Sequence, residues 1–325
     1  VSGAYRMIVR TAGGPEVIER EDITIPSPGP GQLLVRNRAI GVNFIDVYHR
    51  TGLYPREMPT GLGEEAAGVV EAVGEGVKDI SIGDRVAWLA RCSAYATHSL
   101  IEAGQAFPLP DTLSDEVAAA SLLKGLTVWM LVEKCARVQP GQTVLVHAAA
   151  GGVGSLAVQW LVERGATVIA HSGNADKAAI ATRLGAQHSL HGPLDSLAAQ
   201  VREITGGKGV EAVLDGVGKA SWDASIASIA KRGIIVSYGN ASGPVPPVPP
   251  LALSRAGSVF LTRPTLFDWI ERPEDRKEGW TTLSTLLASG KVRAEIGQRY
   301  PLADAAEAHR ALEARETTGT TILVP

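Results

Sequence analysis

Cysteine is almost absent from this chain. Two residues, Cys92 and Cys135, in 325 are too few for a disulfide framework or a four-thiolate zinc site. Such sparing use is expected of a protein kept in a reducing cytoplasm. Excess charge is missing as well: a net charge of −3 offers no electrostatic attraction to nucleic acid or to an anionic membrane. No apolar run approaches the ~18 residues that would span a bilayer, and no internal repeat occurs. The stretch Val1 to Arg6 lacks the apolar run of a secretory leader. The chain opens on Val1 instead of Met, as expected of a processed or tagged product. What remains, 45% hydrophobic and 20% charged, is an ordinary globular composition. The length suffices for two domains with cores of their own.

The most informative stretch runs from Thr143 to Glu163. Thr143 to His147 is a β-branched apolar run that reads as a buried strand. Ala148 to Gly154 reads as a tight turn, and Ser155 to Glu163 as a helix. With Ala149 at the first glycine's place, Gly151 and Gly154 fill the other two places of a dinucleotide fingerprint. A side chain at Gly151 would hold the backbone off a pyrophosphate, and one at Gly154 would push helix from sheet. Ala150, Gly151, Gly152 and Val153 are therefore candidates to cradle phosphates with backbone amides at the helix start.

The first ~125 residues are rich in strand signals and form a mostly β domain. Strands are predicted at Leu33–Asn37, at Gly68–Gly74 and after the Gly83-Asp84 turn; Pro26 to Gly31 is a loop. From Ser114, an N-cap followed by Asp115 and Glu116, a helix runs to Gly125, which breaks or bends it, and a second helical pattern runs from Thr127 to Arg137. Beyond that, strands and helices alternate, with strands at Ala166–Ala170, Val210–Asp215, Gly233–Gly239 and Val259–Thr262. This is the mark of an α/β doubly wound parallel sheet. The last ~60 residues look helical and close on a short strand, Thr321 to Val324, expected to rejoin the first domain.

An acid at the end of the second strand would grip the ribose of NAD. The chain has His171, Ser172, Gly173 and Asn174 there, and Lys177 one turn later. A neutral strand end beside a cation suits the 2′-phosphate of NADP(H), although Asp176 runs against that reading, and Lys177 can equally be a solvated surface lysine.

Several segments taken together resemble the NADPH:quinone oxidoreductases of the zinc-free, zeta-crystallin-like branch of the medium-chain dehydrogenase/reductase superfamily. These are Ala39–Tyr48, Thr51–Pro55, Gly61–Gly68, Leu123–Thr127, His147–Gly154, Tyr238–Gly243 and Thr262–Thr265. The resemblance implies a Rossmann NADPH-binding domain of residues 126–261 and a GroES-like catalytic domain of residues 1–125 and 262–325. It implies a cytoplasmic homodimer joined along an edge strand from Gly257 to Thr262. Zinc enzymes of the superfamily place a cysteine where Asn43 stands and a histidine where Glu64 stands, and they carry four further cysteines that are missing here. A metal-free hydride transfer to a quinone is therefore expected, since an electron-poor acceptor needs no Lewis acid.

The same resemblance places Asn43, Phe44, Ile45, Asp46 and Tyr48 beside the nicotinamide. Asn43 would donate a side-chain hydrogen bond, and Tyr48 and Tyr54 would line the quinone pocket and pass a proton to the reduced ring. Both tyrosines can alternatively serve as packing. Lys124 and Thr127 match a segment near the nicotinamide, with Lys124 equally readable as a helix-surface residue. Val217, Tyr238, Gly239, Asn240, Ala241, Thr262, Arg263 and Pro264 fall at or past strand ends, where ligands collect. Arg315 matches an arginine that holds the 2′-phosphate in relatives. Gly192 falls where those relatives carry a tyrosine that also approaches the phosphate. His147 reads as a strand-end residue bonded locally, and Cys92 and Cys135 as inert thiols. Two other functions fit the same cofactor: reduction of α,β-unsaturated carbonyls, and non-catalytic NADPH binding as in crystallins.

Overall fold

The computed structural model describes residues 3–325; Val1 and Ser2, the start of the stretch searched for a leader, lie outside the described residues. The chain forms two compact units, Val1–Leu123 with Ala294–Pro325, and Lys124–Arg293.

The first unit opens with β1 (Tyr5–Val9) and β2 (Ile18–Asp22), then β3 (Gln32–Val42), α1 (Phe44–Thr51), β4 (Thr60–Gly61), β5 (Glu65–Val73), β6 (Arg85–Leu89), β7 (His98–Glu102) and β8 (Ala106–Pro108). β1 lies between β2 and β4 in a small antiparallel sheet, while β3, β5, β6 and β8 follow one another in a larger one and β7 also pairs with β3. One core joins them, built on Leu33, Val35, Ile40, Val86, Trp88 and Leu323. The indole of Trp88 donates to Asn37 Oδ1 at 3.2 Å, and the Asn37 amide donates to the Ala96 carbonyl at 2.8 Å, so these two polar side chains are satisfied inside this core.

The chain passes into the second unit within α2 (Asp115–Trp129). Gly125 does not break this helix. A β-carbon there would meet Leu283 Cδ1 at 2.4 Å, so the glycine lets another helix approach while α2 continues to a π-helical turn over Met130–Cys135. There follow β9 (Thr143–His147), α3 (Gly152–Glu163), β10 (Thr167–Ser172), α4 (Ala175–Arg183), β11 (His188–His191), α5 (Leu197–Ile204), β12 (Val210–Asp215), α6 (Trp222–Ser228), β13 (Ile229–Ser237), α7 (Pro250–Arg255), β14 (Phe260–Thr262), α8 (Leu266–Trp269) and α9 (Pro273–Ala288). The six strands are parallel in the order β11-β10-β9-β12-β13-β14. This is the doubly wound order, whose ligand crevice lies where the order reverses, between β9 and β12.

Return to the first unit comes at 294, where the resemblance implies 262. α9 belongs to the second unit because Lys134 Nζ pairs with Glu278 at 2.7 Å, and because Gln159 and Arg293 exchange side-chain to backbone hydrogen bonds of 3.0 and 2.9 Å. The tail also holds a strand that its composition hides. β15 (Ile296–Pro301) and β16 (Thr320–Val324) run parallel, flanking α10 (Ala305–Glu313), and β16 pairs antiparallel with β3. Among the described residues no helix is long and apolar enough to cross a membrane.

Candidate functional site

In the second unit, the candidates gather at the C-terminal ends of the parallel strands. α3 starts at Gly152, three residues earlier than the sequence pattern suggested, because Gly151 already stands as its N-cap. The helical ladder begins with Ser155 N–H donating to the Gly151 carbonyl at 2.8 Å. The amides of Gly152, Val153 and Gly154 therefore precede any intrahelical acceptor and open outward with the positive end of the helix dipole. A β-carbon on Gly154 would lie 2.3 Å from the Ala148 carbonyl oxygen and 2.8 Å from Ala149 Cα, whereas one on Gly151 would meet only the Ala148 oxygen at 3.2 Å. Gly154 seats the helix on the strand; Gly151 keeps the outer side clear. Ala148 turns the chain there with φ of +50°, and Ala150 is buried beside it.

Ser172 ends β10 and is 2% exposed, yet its hydroxyl has no hydrogen-bond partner. Gly173 is exposed next to it, and Asn174 caps α4 by accepting the Lys177 N–H at 2.9 Å. Lys177 is half-buried, and Gly192 leaves open space beyond β11, its carbonyl accepting from His171 Nε2 at 3.1 Å. Burial holds the His171 imidazole below its ordinary value, hence neutral. An orphaned hydroxyl, a half-buried lysine and no carboxylate at the strand end fit a phosphate far better than a bare ribose diol.

Farther along, Asp215 folds the next two strand ends together. Its carboxylate accepts the Val217 amide at 2.9 Å and the Ser221 and Ser225 hydroxyls at 2.7 and 2.6 Å. Ser225 also meets His147 Nε2 at 2.9 Å, so His147 is bonded locally, and burial lowers its pKa. Tyr238, Gly239, Asn240 and Ala241 follow β13, and the Tyr238 amide donates to the Asp215 carbonyl at 2.8 Å. Thr262 ends β14 in register with Val236; Arg263 donates to the Ser237 carbonyl at 2.8 Å, ahead of a half-buried Pro264. Lys124 is 4% exposed, which removes the surface reading, and Thr127 on the same helix is half-buried.

In the first unit the candidates sit on α1. Asn43 is its N-cap, and the Asn43 amide N–H donates to Asp46 Oδ2 at 2.8 Å. The Asn43 side-chain nitrogen donates to Glu65 Oε1 at 2.9 Å, while Glu65 Oε2 accepts the Leu123 amide at 2.6 Å. The expected donor thus gives one hydrogen to an anion, with the Gly41 carbonyl a more distant acceptor at 3.5 Å. Phe44 and Ile45 are half-buried. Tyr48 and Tyr54 meet edge to face at 5.1 Å, with Phe44 at 6.2 Å from Tyr48, so the two phenols share one aromatic cluster. Arg315 is exposed at φ of +60° just past α10 in this unit.

Sequence reasoning missed what holds α1 in place. Asp46 Oδ2 accepts the Tyr95 hydroxyl at 3.1 Å, and the Tyr95 oxygen lies 3.0 Å from His309 Nε2. Arg50 Nη1 lies 3.2 Å from His309 Nδ1, and Arg50 binds Glu313 through two hydrogen bonds of 2.8 and 2.7 Å. Arginine only donates, so Nδ1 accepts, Nε2 carries the hydrogen, and the chain of donors runs in one direction to Asp46. Burial, then the Arg50 charge, lowers the His309 pKa from 6.5 to about 3. The unfolded imidazole takes up a proton first, so stability present above pH 6.5 is lost as pH falls toward about 3. The slope should approach ~1.4 kcal/mol per pH unit. Urea unfolding between pH 7 and 5 should show this slope and His309→Gln should flatten it; an unchanged slope would place the proton uptake elsewhere.

Both thiols are inert as nucleophiles, with burial, and for Cys92 next the Glu64 charge, pushing Cys92 to about 12 and Cys135 to about 11.

Residues 152–278 match the family described as zinc-binding dehydrogenase, and residues 29–111 the alcohol dehydrogenase GroES-like domain. The chain is 45% identical to the quinone oxidoreductase of Salmonella typhimurium, over 99% of this chain and all of that one. It is 40% identical to a 2-haloacrylate reductase of a Burkholderia species, over 98% of each. A crystal structure of Escherichia coli quinone oxidoreductase complexed with NADPH superposes with a TM-score of 0.96 at 43% identity, over 99% of this chain and all of that one.

Proposed function

The chain belongs to the quinone oxidoreductase family of the medium-chain dehydrogenase/reductase superfamily, and on that premise we propose that it is an NADPH-dependent quinone reductase. The observation that carries the cofactor is the strand-end edge of the second unit, where open helix amides, the unpartnered Ser172 hydroxyl and the absence of an acid coincide. Ala150 to Val153 would hold the pyrophosphate, and Ser172, Gly173 and Lys177 the 2′-phosphate, with Arg315 as a further cation. Val217, Tyr238 to Ala241 and Thr262 to Pro264 would border the rest of the dinucleotide. When bound, NADPH supplies a hydride from C4 of its nicotinamide.

The protein's share is orientation, proton supply and exclusion of water. Asn43 would use its second amide hydrogen on the nicotinamide end, together with Phe44, Ile45, Lys124 and Thr127. Asp46 accepts the Asn43 amide and the Tyr95 hydroxyl and so fixes the start of α1. Tyr48 and Tyr54 would pack on the acceptor and hand a proton to the reduced ring, giving a hydroquinone. Asn43 and Glu64 stand where zinc relatives carry a thiolate and an imidazole, so the reaction is proposed without a Lewis acid.

Loss of NADPH absorbance should follow addition of 1,4-benzoquinone or 9,10-phenanthrenequinone and exceed that with a simple alkenal. No turnover with any quinone would sink the reading. The 2-haloacrylate reductase relative favours reduction of electron-poor alkenes as the second reading, and a faster reaction with the alkenal would select it. A cytoplasmic homodimer is also proposed. Among the described residues β14 has a strand partner on one side only, and it displays Phe260, 62% exposed, which is the kind of edge a second copy covers. A monomer mass by light scattering would remove it.

A further inference from the structure

Three side chains that the proposed reaction does not use converge beneath α1. His49 Nε2 lies 3.2 Å from Glu64 Oε1, and Cys92 Sγ lies 3.6 Å from the same oxygen. Among the described residues, this group of His, Glu and Cys has its donor atoms all within 4.8 Å of one another. Glu64 is fully buried and His49 3% exposed, yet neither Glu64 Oε2 nor His49 Nε2 has a hydrogen-bond partner. Glu64 Oε1 faces both His49 Nε2 and the Cys92 thiol, but Oε2 is left a buried carboxylate oxygen with no partner, which is costly unless a cation satisfies it.

The frame around them is firm. The Ala90 amide donates to the Glu64 carbonyl at 3.0 Å, and the Ser93 and Ala94 amides donate to the Gly63 carbonyl at 2.9 and 3.1 Å. The loop bearing Cys92 is thereby bound to the segment bearing Glu64, just ahead of β5. His49 is placed by α1, and its Nδ1 lies 3.3 Å from the Tyr54 carbonyl, which can take that nitrogen's proton and leave the lone pair on Nε2. Arg56 Nε, 3.4 Å from the same Nδ1, only donates, so while it bonds there Nδ1 accepts and Nε2 carries the hydrogen toward Glu64 Oε1. An ion at Nε2 replaces that hydrogen, and the ring's proton passes to Nδ1 and the Tyr54 carbonyl.

We propose that His49 Nε2, the Glu64 carboxylate and Cys92 Sγ bind one divalent ion of the zinc class. Imidazole, carboxylate and thiolate are the donors such an ion takes. Bond lengths of about 2.0–2.3 Å put tetrahedral ligand atoms roughly 3.4–3.6 Å apart, close to the spacings found here. Three protein ligands leave a fourth position for water. Binding converts the thiol to thiolate and releases its proton to solvent. This set differs from the thiolate and imidazole that zinc relatives place at Asn43 and Glu64, and only Glu64 is common to both positions. The ion would tie the loop at Cys92 to α1.

The test is a titration of the chelator-treated, full-length protein with Co²⁺ alone, with circular dichroism confirming that each variant is folded. One equivalent should bind with a thiolate-to-cobalt band in the near ultraviolet, and Zn²⁺ should displace it. Cys92→Ser should lose the band, Cys135→Ser should keep it, and Glu64→Gln or His49→Gln should weaken binding by at least ~10-fold. Absence of the band in the folded parent, or its survival in Cys92→Ser, overturns the proposal. The readout needs neither NADPH nor quinone, so its failure is distinct from failure of the reductase reading.

Discussion

Gly154→Val should abolish usable NADPH binding while Gly151→Ala weakens it without unsettling the fold. At Gly154 the added β-carbon would sit 2.3 Å from a backbone oxygen and 2.8 Å from a backbone α-carbon, and neither can swing aside as a side chain could. α3 must then lift off β9. Overpacking of this kind costs ~3 kcal/mol. The displaced amides would also lose charge-assisted hydrogen bonds worth ~2 kcal/mol each. Two lost amides correspond to a roughly 1,000-fold weaker dissociation constant. At Gly151 the new methyl meets one backbone oxygen at 3.2 Å, a small adjustment, but it occupies the side proposed for phosphate. Calorimetry and thermal melts read both quantities. A Gly154→Val protein that melts and binds like the parent would mean that α3 is not seated as described.

Arg50→Ala should destabilise the first unit strongly. Arg50 is fully buried, its guanidinium forks onto Glu313, and its other contacts are His309 and the Gly13 carbonyl. Removing one partner of a buried pair costs ~3–5 kcal/mol. The Glu313 side chain is 34% exposed and recovers some hydration, so ~3 kcal/mol is expected. That corresponds to a melting temperature roughly 6–12 °C lower. Glu313→Gln keeps a hydrogen-bonding group and should cost only ~1 kcal/mol. If Arg50→Ala melted within a degree of the parent, the chain from Glu313 to Asp46 would not be what steadies α1.

Much of this architecture is readable in the residues themselves. Buried parallel strands such as Thr143–His147 and Val210–Asp215 show as β-branched runs because both faces are covered. The fingerprint is legible because steric exclusion at Gly154 leaves few alternatives. Other features depend on partners far along the chain. Gly125 looks like a break until Leu283 is seen to need its empty side, and β15 looks like loop until β16 supplies a neighbour. The employment of the Asn43 amide was hidden for the same reason, since Glu65 binds it only after β3 and β5 have paired. His49, Glu64 and Cys92 come from a helix, the segment just ahead of a strand and a loop, and no spacing rule relates the three.

The first unit is assembled from both ends of the chain, with β16 laid against β3 only after the whole of Lys124–Arg293 has been threaded between them. On a ribosome the contiguous parallel sheet emerges whole, whereas the sheet that carries α1 waits for its last edge. With β5 and β7 already paired to β3, its half-built form still holds the stretch Ile40 to Val42 without β16 for the duration of synthesis, which makes that stretch the place where a chaperone or a neighbouring nascent chain would first take hold.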